Sequence, residues 1–208
     1  MSNADDPYHS DRYEPLLIVI SGPSGVGKDT VIDCMKERDQ AFHFVVTATD
    51  RPPRQGEIHG VDYFFVSTDE FAAMIENDEL IEYAKVYNDY KGVPKEQVQQ
   101  ALTSGQDVVM RVDVQGAEKI KELYPDALLI FLITKNEDEL IKRLKARRTE
   151  DHKDLNLRIT TARNELQRIA DFDYVVPNPD SCLEQAVDTI LDIIHAEHHR
   201  VNPRKVIL

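Results

Sequence analysis

The chain has 208 residues, 41% of them apolar, with 25 Lys and Arg against 38 Asp and Glu for a formal net charge of −13. That length holds one domain with a sizeable core, and the apolar share is too high for a disordered chain. The charge argues against nucleic acid or an anionic membrane as partner, so a site for a polyanion must be a local basic focus.

The start, Met1 to Glu14, is polar and acidic without an apolar run and reads as a loose tail, not a secretory leader. Leu16 to Ser21 is a short apolar, β-branched run that reads as a buried strand, and Asp29 to Arg38 reads as a helix with Val31, Ile32 and Met35 on one side. Ala41 to Ala48 is a further strand candidate. From Asp50 to Gly60 both periodicities disappear. Tyr63 to Val66 reads as a short strand, Thr68 to Glu76 as a short helix, and Leu80 to Val86 with Asn88 to Gly92 as strand and turn. Lys95 to Ser104 reads as a helix. Asp107 to Val112 and Ala127 to Ile133 read as buried strands with a helix over Gly116 to Leu123 between them. Glu137 to Arg147 is a charged helix, and Thr149 to Asn156 is a polar stretch with no clear core face. Leu157 to Ile169 is another helix, Tyr174 to Val176 a last strand, and Cys182 to His199 an amphipathic helix. Strands alternating with helices imply a mainly parallel sheet covered on both faces, and Val45 to Gly92 interrupts that rhythm as an insertion with its own small sheet. Cys34 and Cys182 lack any short spacing and read as two reduced thiols.

Gly22-Pro23-Ser24-Gly25-Val26-Gly27-Lys28 follows directly on the first strand. Glycines there let successive backbone N–H groups turn inward onto phosphate oxygens, the following helix offers its N-terminus to the same anion, and Lys28 adds a point charge between terminal phosphates. The usual pattern continues with Ser or Thr to ligate Mg²⁺. Here Asp29 stands in that place and Thr30 follows, so either the metal is held differently or Thr30 supplies the hydroxyl. Arg51 and Arg54, stiffened by Pro52 and Pro53, form a basic spot in an acidic protein, and Arg suits forked contacts to phosphate. His43 and His59 stand alone in strand or loop settings, and the His195, His198 and His199 cluster, with no obvious acid partner, reads as a solvated helix end.

The run from Thr47 to Val66 resembles the signature of guanylate kinases. So do Ile81 to Ala84, Asp113 to Gly116 and Phe172 to Val175, and with the phosphate loop the resemblance covers residues 16 to 200. The Lys91 to Pro94 and Arg111 to Asp113 variants are closer to plant organellar and some bacterial members. The resemblance implies an α/β P-loop kinase core, a parallel sheet flanked by helices, plus a small GMP-binding insertion and a mobile lid. It sets boundaries of 1–14 for the tail, 15–44, 94–145 and 157–200 for the core, 45–93 for the insertion and 146–156 for the lid. It implies transfer of the ATP γ-phosphoryl group to GMP, with Mg²⁺, in the cytoplasm or an organelle, by a monomer or homodimer that uses dGMP as well. Residues 22–30 and Asn178 would bind ATP, with Thr30 the candidate metal ligand. Arg51, Arg54 and Tyr63 would grip the GMP phosphate, Glu57 would orient the arginines, and Thr47, Glu82 and Asp113 would read guanine. Lys28, Arg147 and Arg158 would stabilise the transferring group, leaving Arg143, Arg148 and Arg163 as solvated helix charges.

Three positions depart from the family. Lys91 replaces a tyrosine on the GMP phosphate and is expected to take over its contact. Val93 replaces a hydroxyl residue near the base, and Arg111 replaces an aspartate of the metal and phosphate site. Two other readings remain: a guanylate-kinase-like docking module without catalysis, which would have no use for Lys28, Arg147 and Arg158, and a kinase of another nucleoside monophosphate, against which Glu82 and Asp113 argue.

Overall fold

The computed structural model describes residues 14–38, 41–86, 89–146 and 152–207. Its main sheet has five parallel strands: β1 (Leu17–Ser21), β2 (His43–Phe44), β7 (Val108–Arg111), β8 (Leu128–Ile133) and β9 (Tyr174–Pro177), in the order β2-β7-β1-β8-β9. Helices cover both faces, which is why these strands read as unbroken apolar runs without alternation. The two faces of β1 divide by parity. Leu16, Ile18 and Ile20 pack with Val31 and Met35 of α1 (Lys28–Arg38) and with Val187, Ile190 and Ile194 of α7 (Leu183–His198). Leu17 and Val19 pack on the other side with Val98 and Ala101 of α3 (Lys95–Thr103) and with Ala117 and Ile120 of α4 (Val114–Leu123).

A second sheet of four strands has the order β4-β3-β6-β5, built from β3 (Ala48–Thr49), β4 (Phe64–Phe65), β5 (Leu80–Val86) and β6 (Asp89–Pro94). β5 and β6 pair antiparallel, and α2 (Thr68–Glu76) closes a small core of Ala48, Phe71 and Leu80 beneath them. Ser67 caps α2 by accepting from the Glu70 N–H, and the Glu70 carboxylate accepts from the Ser67 N–H, a reciprocal cap that starts the helix where the sequence expects it.

Three elements differ from expectation. The strand over Ala41 to Ala48 is two strands in different sheets, because β2 pairs with β7 while β3 pairs with β4 and β6. Local propensity cannot see that exchange of partners. The segment read as a turn after residue 88 is a strand, β6, paired antiparallel with β5. The polar stretch before Leu157 is helical from His152, since α6 spans His152–Leu166. Leu155, Ile159, Ala162 and Leu166 pack against Leu140 and Leu144 of α5 (Glu137–Ala146), an apolar face that becomes visible only with its partner helix. The expected lid residues 147–151 lie outside the described residues. Cys34 and Cys182 are free, and among the described residues no helix is long and apolar enough to cross a membrane.

His198 has the acid partner that the sequence concealed. Its Nε2 lies 2.7 Å from Oδ2 of Asp107, whose Oδ1 accepts from the Leu16 N–H at 2.7 Å. The two residues are 91 positions apart, so the pair ties the last helix to the starts of the interior strands β7 and β1 and cannot be read from local spacing.

Candidate active site

β1 lies between β7 and β8, where the chain changes direction across the sheet, and crevices at such points, at the carboxyl ends of parallel strands, bind ligands. The phosphate loop emerges there. Gly22 has φ +139°, and a Cβ on it would lie 2.5 Å from the Leu132 carbonyl oxygen, so both the turn and the neighbouring strand demand glycine. Helix α1 begins at Lys28, and its first N–H groups face the loop. The Lys28 ammonium donates to the carbonyls of Gly22 and, at 3.1 Å, Pro23. Burial lowers its pKa to about 8, with Glu165 and Asp29 acting in the opposite direction.

Residues behind the loop fix its shape. Asn178 is buried and its Nδ2 donates to the Val26 carbonyl at 2.9 Å, so the structure places Asn178 against the back of the loop and not in the cleft before it. Arg143 is not a solvated charge. Its guanidinium donates to the carbonyls of Val26 at 3.0 Å and Asn178 at 2.9 Å, and it pairs with Glu139 and Asp180. A tight loop turns carbonyls inward that need donors, and Arg143 supplies them. Arg163 pairs with Glu137 on the surface.

The insertion brings its arginines to the same cleft. Arg51 donates a two-pronged contact to Glu57, Nη1 to Oε2 and Nη2 to Oε1, both at 2.9 Å, and Glu57 also accepts from the Arg54 N–H at 2.6 Å. Burial raises the Glu57 pKa, but the Arg51 and Arg54 contacts outweigh it and hold the carboxyl below its usual range. Glu57 thereby fixes the guanidinium in one plane. Arg51 stands 5.4 Å from the Tyr63 ring centroid, Arg111 5.0 Å and Lys91 5.9 Å, so three cations surround one phenol.

Glu82, on β5, is 7% exposed, and its Oε2 has no hydrogen-bond partner among the described residues. Burial, with a further contribution from Asp113, raises its pKa to about 7. Gly116 makes room for it: a Cβ there would stand 3.1 Å from the Glu82 carboxyl atoms. Asp113 caps α4, its Oδ1 accepting from the Gly116 N–H at 2.9 Å. Val93 pairs with Glu82 across the hairpin and is fully buried in the apolar core.

One cleft of about 560 Å³ gathers these groups. Ser24, Gly25, Gly27, Lys28, Asp29, Thr47, Arg51, Arg54, Tyr63, Glu82, Lys91, Asp113 and Arg158 all line it. Gly22, Pro23, Val26, Thr30 and Glu57 do not; Thr30 is exposed on α1. Arg147 lies outside the described residues. The lining holds seven Lys or Arg against five Asp or Glu, an inversion of the chain's overall charge and the local basic focus that a polyanion requires.

Sequence reasoning missed Lys85, Asp89, Gln115, Thr161 and Glu165, which also line the cleft. A signal existed for two of them. Arg158, Thr161 and Glu165 are spaced three and four apart on α6, so an arginine expected to face the site brings the other two onto the same face. Glu165 accepts from the Ser24 N–H at 3.3 Å.

The family model described as guanylate kinase matches residues 14–197. The chain belongs to the guanylate kinase family. A chloroplastic/mitochondrial guanylate kinase 2 of Oryza sativa is 49% identical over 194 residues, which are 93% of this chain and 68% of that protein. The guanylate kinase of Halalkalibacterium halodurans is 42% identical over 90% of this chain and 91% of its own length. The crystal structure of the guanylate kinase from Anaplasma phagocytophilum superposes with a TM-score of 0.76 at 28% identity, covering 91% of this chain and 89% of that one. The fold and the family are thus the expected ones, an α/β protein with a parallel central sheet flanked by helices.

Proposed function

We propose that this chain transfers the γ-phosphoryl group of ATP to GMP, giving ADP and GDP. The observation that carries the reading is Glu82: a buried carboxylate with an unpartnered oxygen, lining the same cleft as Lys28 and the Arg51–Glu57 fork. Guanine offers an N1–H beside a 2-amino group, two adjacent donors that a carboxylate can accept. Adenine offers no such pair and would leave the buried oxygen unpaired. Asp113 and Thr47 complete the base site in this reading. Arg51, Arg54, Tyr63 and Lys91 hold the acceptor phosphate, and Glu57 keeps Arg51 in plane.

Phosphoryl transfer is mainly positioning and charge stabilisation. A GMP phosphate oxygen, already ionised, attacks the γ-phosphorus while the bond to the β-bridging oxygen breaks, and ADP leaves with that electron pair. The chain needs no nucleophile of its own. The 22–28 loop and the α1 N-terminus hold the donor phosphates, Lys28 lies at their terminal oxygens, and Asn178 and Arg143 shape the loop from behind. Arg158 on α6 and Arg147 in a lid over residues 146–156 reach the transferring group, and that lid closes on the insertion 45–93 and excludes water from the core.

Magnesium enters with the nucleotide as MgATP. The chain itself is poorly fitted to ligate it: among the described residues no group of three His, Cys, Asp or Glu side chains could hold a metal, Asp29 is engaged by Arg111, and Thr30 lies outside the cleft. The reading extends to dGMP, because the assigned residues address base and phosphate and none addresses the 2′-hydroxyl. It also extends to a cytoplasmic or organellar setting.

A coupled assay with ATP and each of GMP, dGMP, AMP, UMP and CMP tests the reading. Turnover confined to GMP and dGMP supports it, and a preference for AMP or a pyrimidine nucleotide sinks it.

A further inference from the structure

Arg111 is the residue that the family resemblance least prepares for, a cation where relatives of the common pattern carry an acid. It is the last residue of β7 and pairs in register with Ile20 of β1, one position before the end of the strand that feeds the phosphate loop. Its guanidinium contacts Oδ1 of Asp29, the residue after Lys28, and lies 5.0 Å from the Tyr63 ring centroid. One side chain therefore touches both the donor loop and the group assigned to the acceptor phosphate. It lines the main cleft and also the small adjoining cavity that holds Asp29, Arg54, Glu57 and Tyr63. The side chain is 20% exposed, so its charge acts with little screening by water.

We propose that Arg111 is a catalytic residue of this chain, a guanidinium that spans the donor and acceptor phosphates and stabilises the charge on the oxygens of the transferring group. Asp29 is its resting partner. When the nucleotides enter, phosphate oxygens take over N–H donors of Arg111, and Asp29 holds the remaining edge of the guanidinium in place. The step exchanges no proton with Arg111: the P–O bond to the acceptor forms, the bond to ADP breaks, and the guanidinium stays charged throughout. A fork suits this task because separate N–H pairs can address separate phosphates. The inference rests on the phosphoryl-transfer reading given above and adds a positive charge where the chain supplies few groups for a metal.

The test compares Arg111→Ala, Arg111→Lys and the double variant Asp29→Asn/Arg111→Ala with the wild-type enzyme, whose own turnover of GMP first establishes the reaction. A wild type without GMP kinase activity would refute the functional reading and not this residue's role. Arg111→Ala is expected to lower kcat by about 100-fold while the KM values for GMP and ATP move less than about fivefold, the scale of losing one preorganised charge at the reacting group. Guanidinium chloride at millimolar concentration is expected to restore part of the Arg111→Ala rate and none of the rate of a Lys28→Ala control. Calorimetric titration of GMP in EDTA is expected to give affinities for wild type and Arg111→Ala within about fivefold of each other, far less than the loss in kcat, and thermal melting confirms that the variants fold. Arg111→Lys should fall between them, since it keeps the charge and loses the fork. If Arg111→Ala proves unfolded, Arg111→Lys alone decides, by a kcat loss at unchanged GMP affinity. The proposal is overturned by a kcat within about threefold of wild type, by a loss that lies mainly in GMP affinity and not in kcat, or by absence of guanidinium rescue. It is also overturned if the double variant regains wild-type turnover, because the loss would then come from the bared Asp29 carboxylate.

Discussion

Replacing Glu82 by Gln separates two effects of one buried carboxylate. In the free protein burial raises the Glu82 pKa to about 7 from the ordinary carboxyl value of 4.5. A raised carboxyl pKa means that the folded state disfavours the charge, so stability is fullest below the unfolded-state pKa and is lost as pH rises through about 7. A shift of that size corresponds to about 3 kcal/mol, of which roughly 2–3 kcal/mol falls between about pH 5 and pH 8. Glu82→Gln removes this titration, so denaturant unfolding should give a variant whose stability relative to wild type rises by that amount over the same interval. Ligand binding reverses the preference. Guanine donors need the ionised carboxylate, so GMP affinity in the wild type should fall about tenfold for each pH unit below about 7 as binding comes to require loss of a proton. The GMP phosphate titrates near pH 6 as well, but it does so equally with both proteins, and the difference between them isolates Glu82. At about pH 8, Glu82→Gln should weaken GMP by roughly 2–3 kcal/mol, or 30- to 150-fold, because an amide N–H now faces a base donor. Calorimetric titrations across this pH range give both curves. Parallel pH profiles for the two proteins, or equal GMP affinity at high pH, would refute the assignment of Glu82 as the base reader.

Lys28→Ala should lower kcat by at least about 100-fold, the scale of removing a preorganised charge from the transferring group, and leave the calorimetric affinity for GMP within a factor of about three; substantial turnover would remove Lys28 from its role. Lys91→Met should weaken GMP binding by about 1–2 kcal/mol, read as a roughly 5- to 30-fold rise in Kd, since the ammonium beside Tyr63 is assigned to the acceptor phosphate. An unchanged titration would assign Lys91 to the ring contact alone. Glu57→Gln breaks the two-pronged contact that orients Arg51, and the KM for GMP is expected to rise about tenfold with kcat held. A fall in kcat at constant KM would mean that Glu57 acts on the chemical step.

The parts of this protein legible from sequence are those whose physics is local. A glycine-rich turn between an apolar run and a helix carries its own instructions, because the backbone angles and the helix end that hold a phosphate are set within a dozen residues. The same holds for the strand–helix alternation and for the short helix over Thr68 to Glu76. The proposed base site was legible at one remove: Glu82 and Asp113 are far apart in the chain, and only resemblance joined them before the geometry of Gly116 brought the two together.

What only the tertiary structure decided depends on partners distant in the chain. The split of residues 41–49 between two sheets follows from which strands lie alongside, not from their propensity. The apolar face of α6 exists only against Leu140 and Leu144. Arg143 changes from an apparent surface charge into a brace for the phosphate loop because Val26 and Asn178 present carbonyls to it. Arg111 and Asp29 were separately legible as departures from a pattern. That they meet, beside Tyr63 and at the end of the strand next to the one that leads into the Lys28 loop, required the sheet order that sets β7 next to β1. Sequence spacing determines which groups one element can present; the packing of elements determines which of those groups share a site, and here that includes the Arg111–Asp29 pair between the loop of Lys28 and Tyr63.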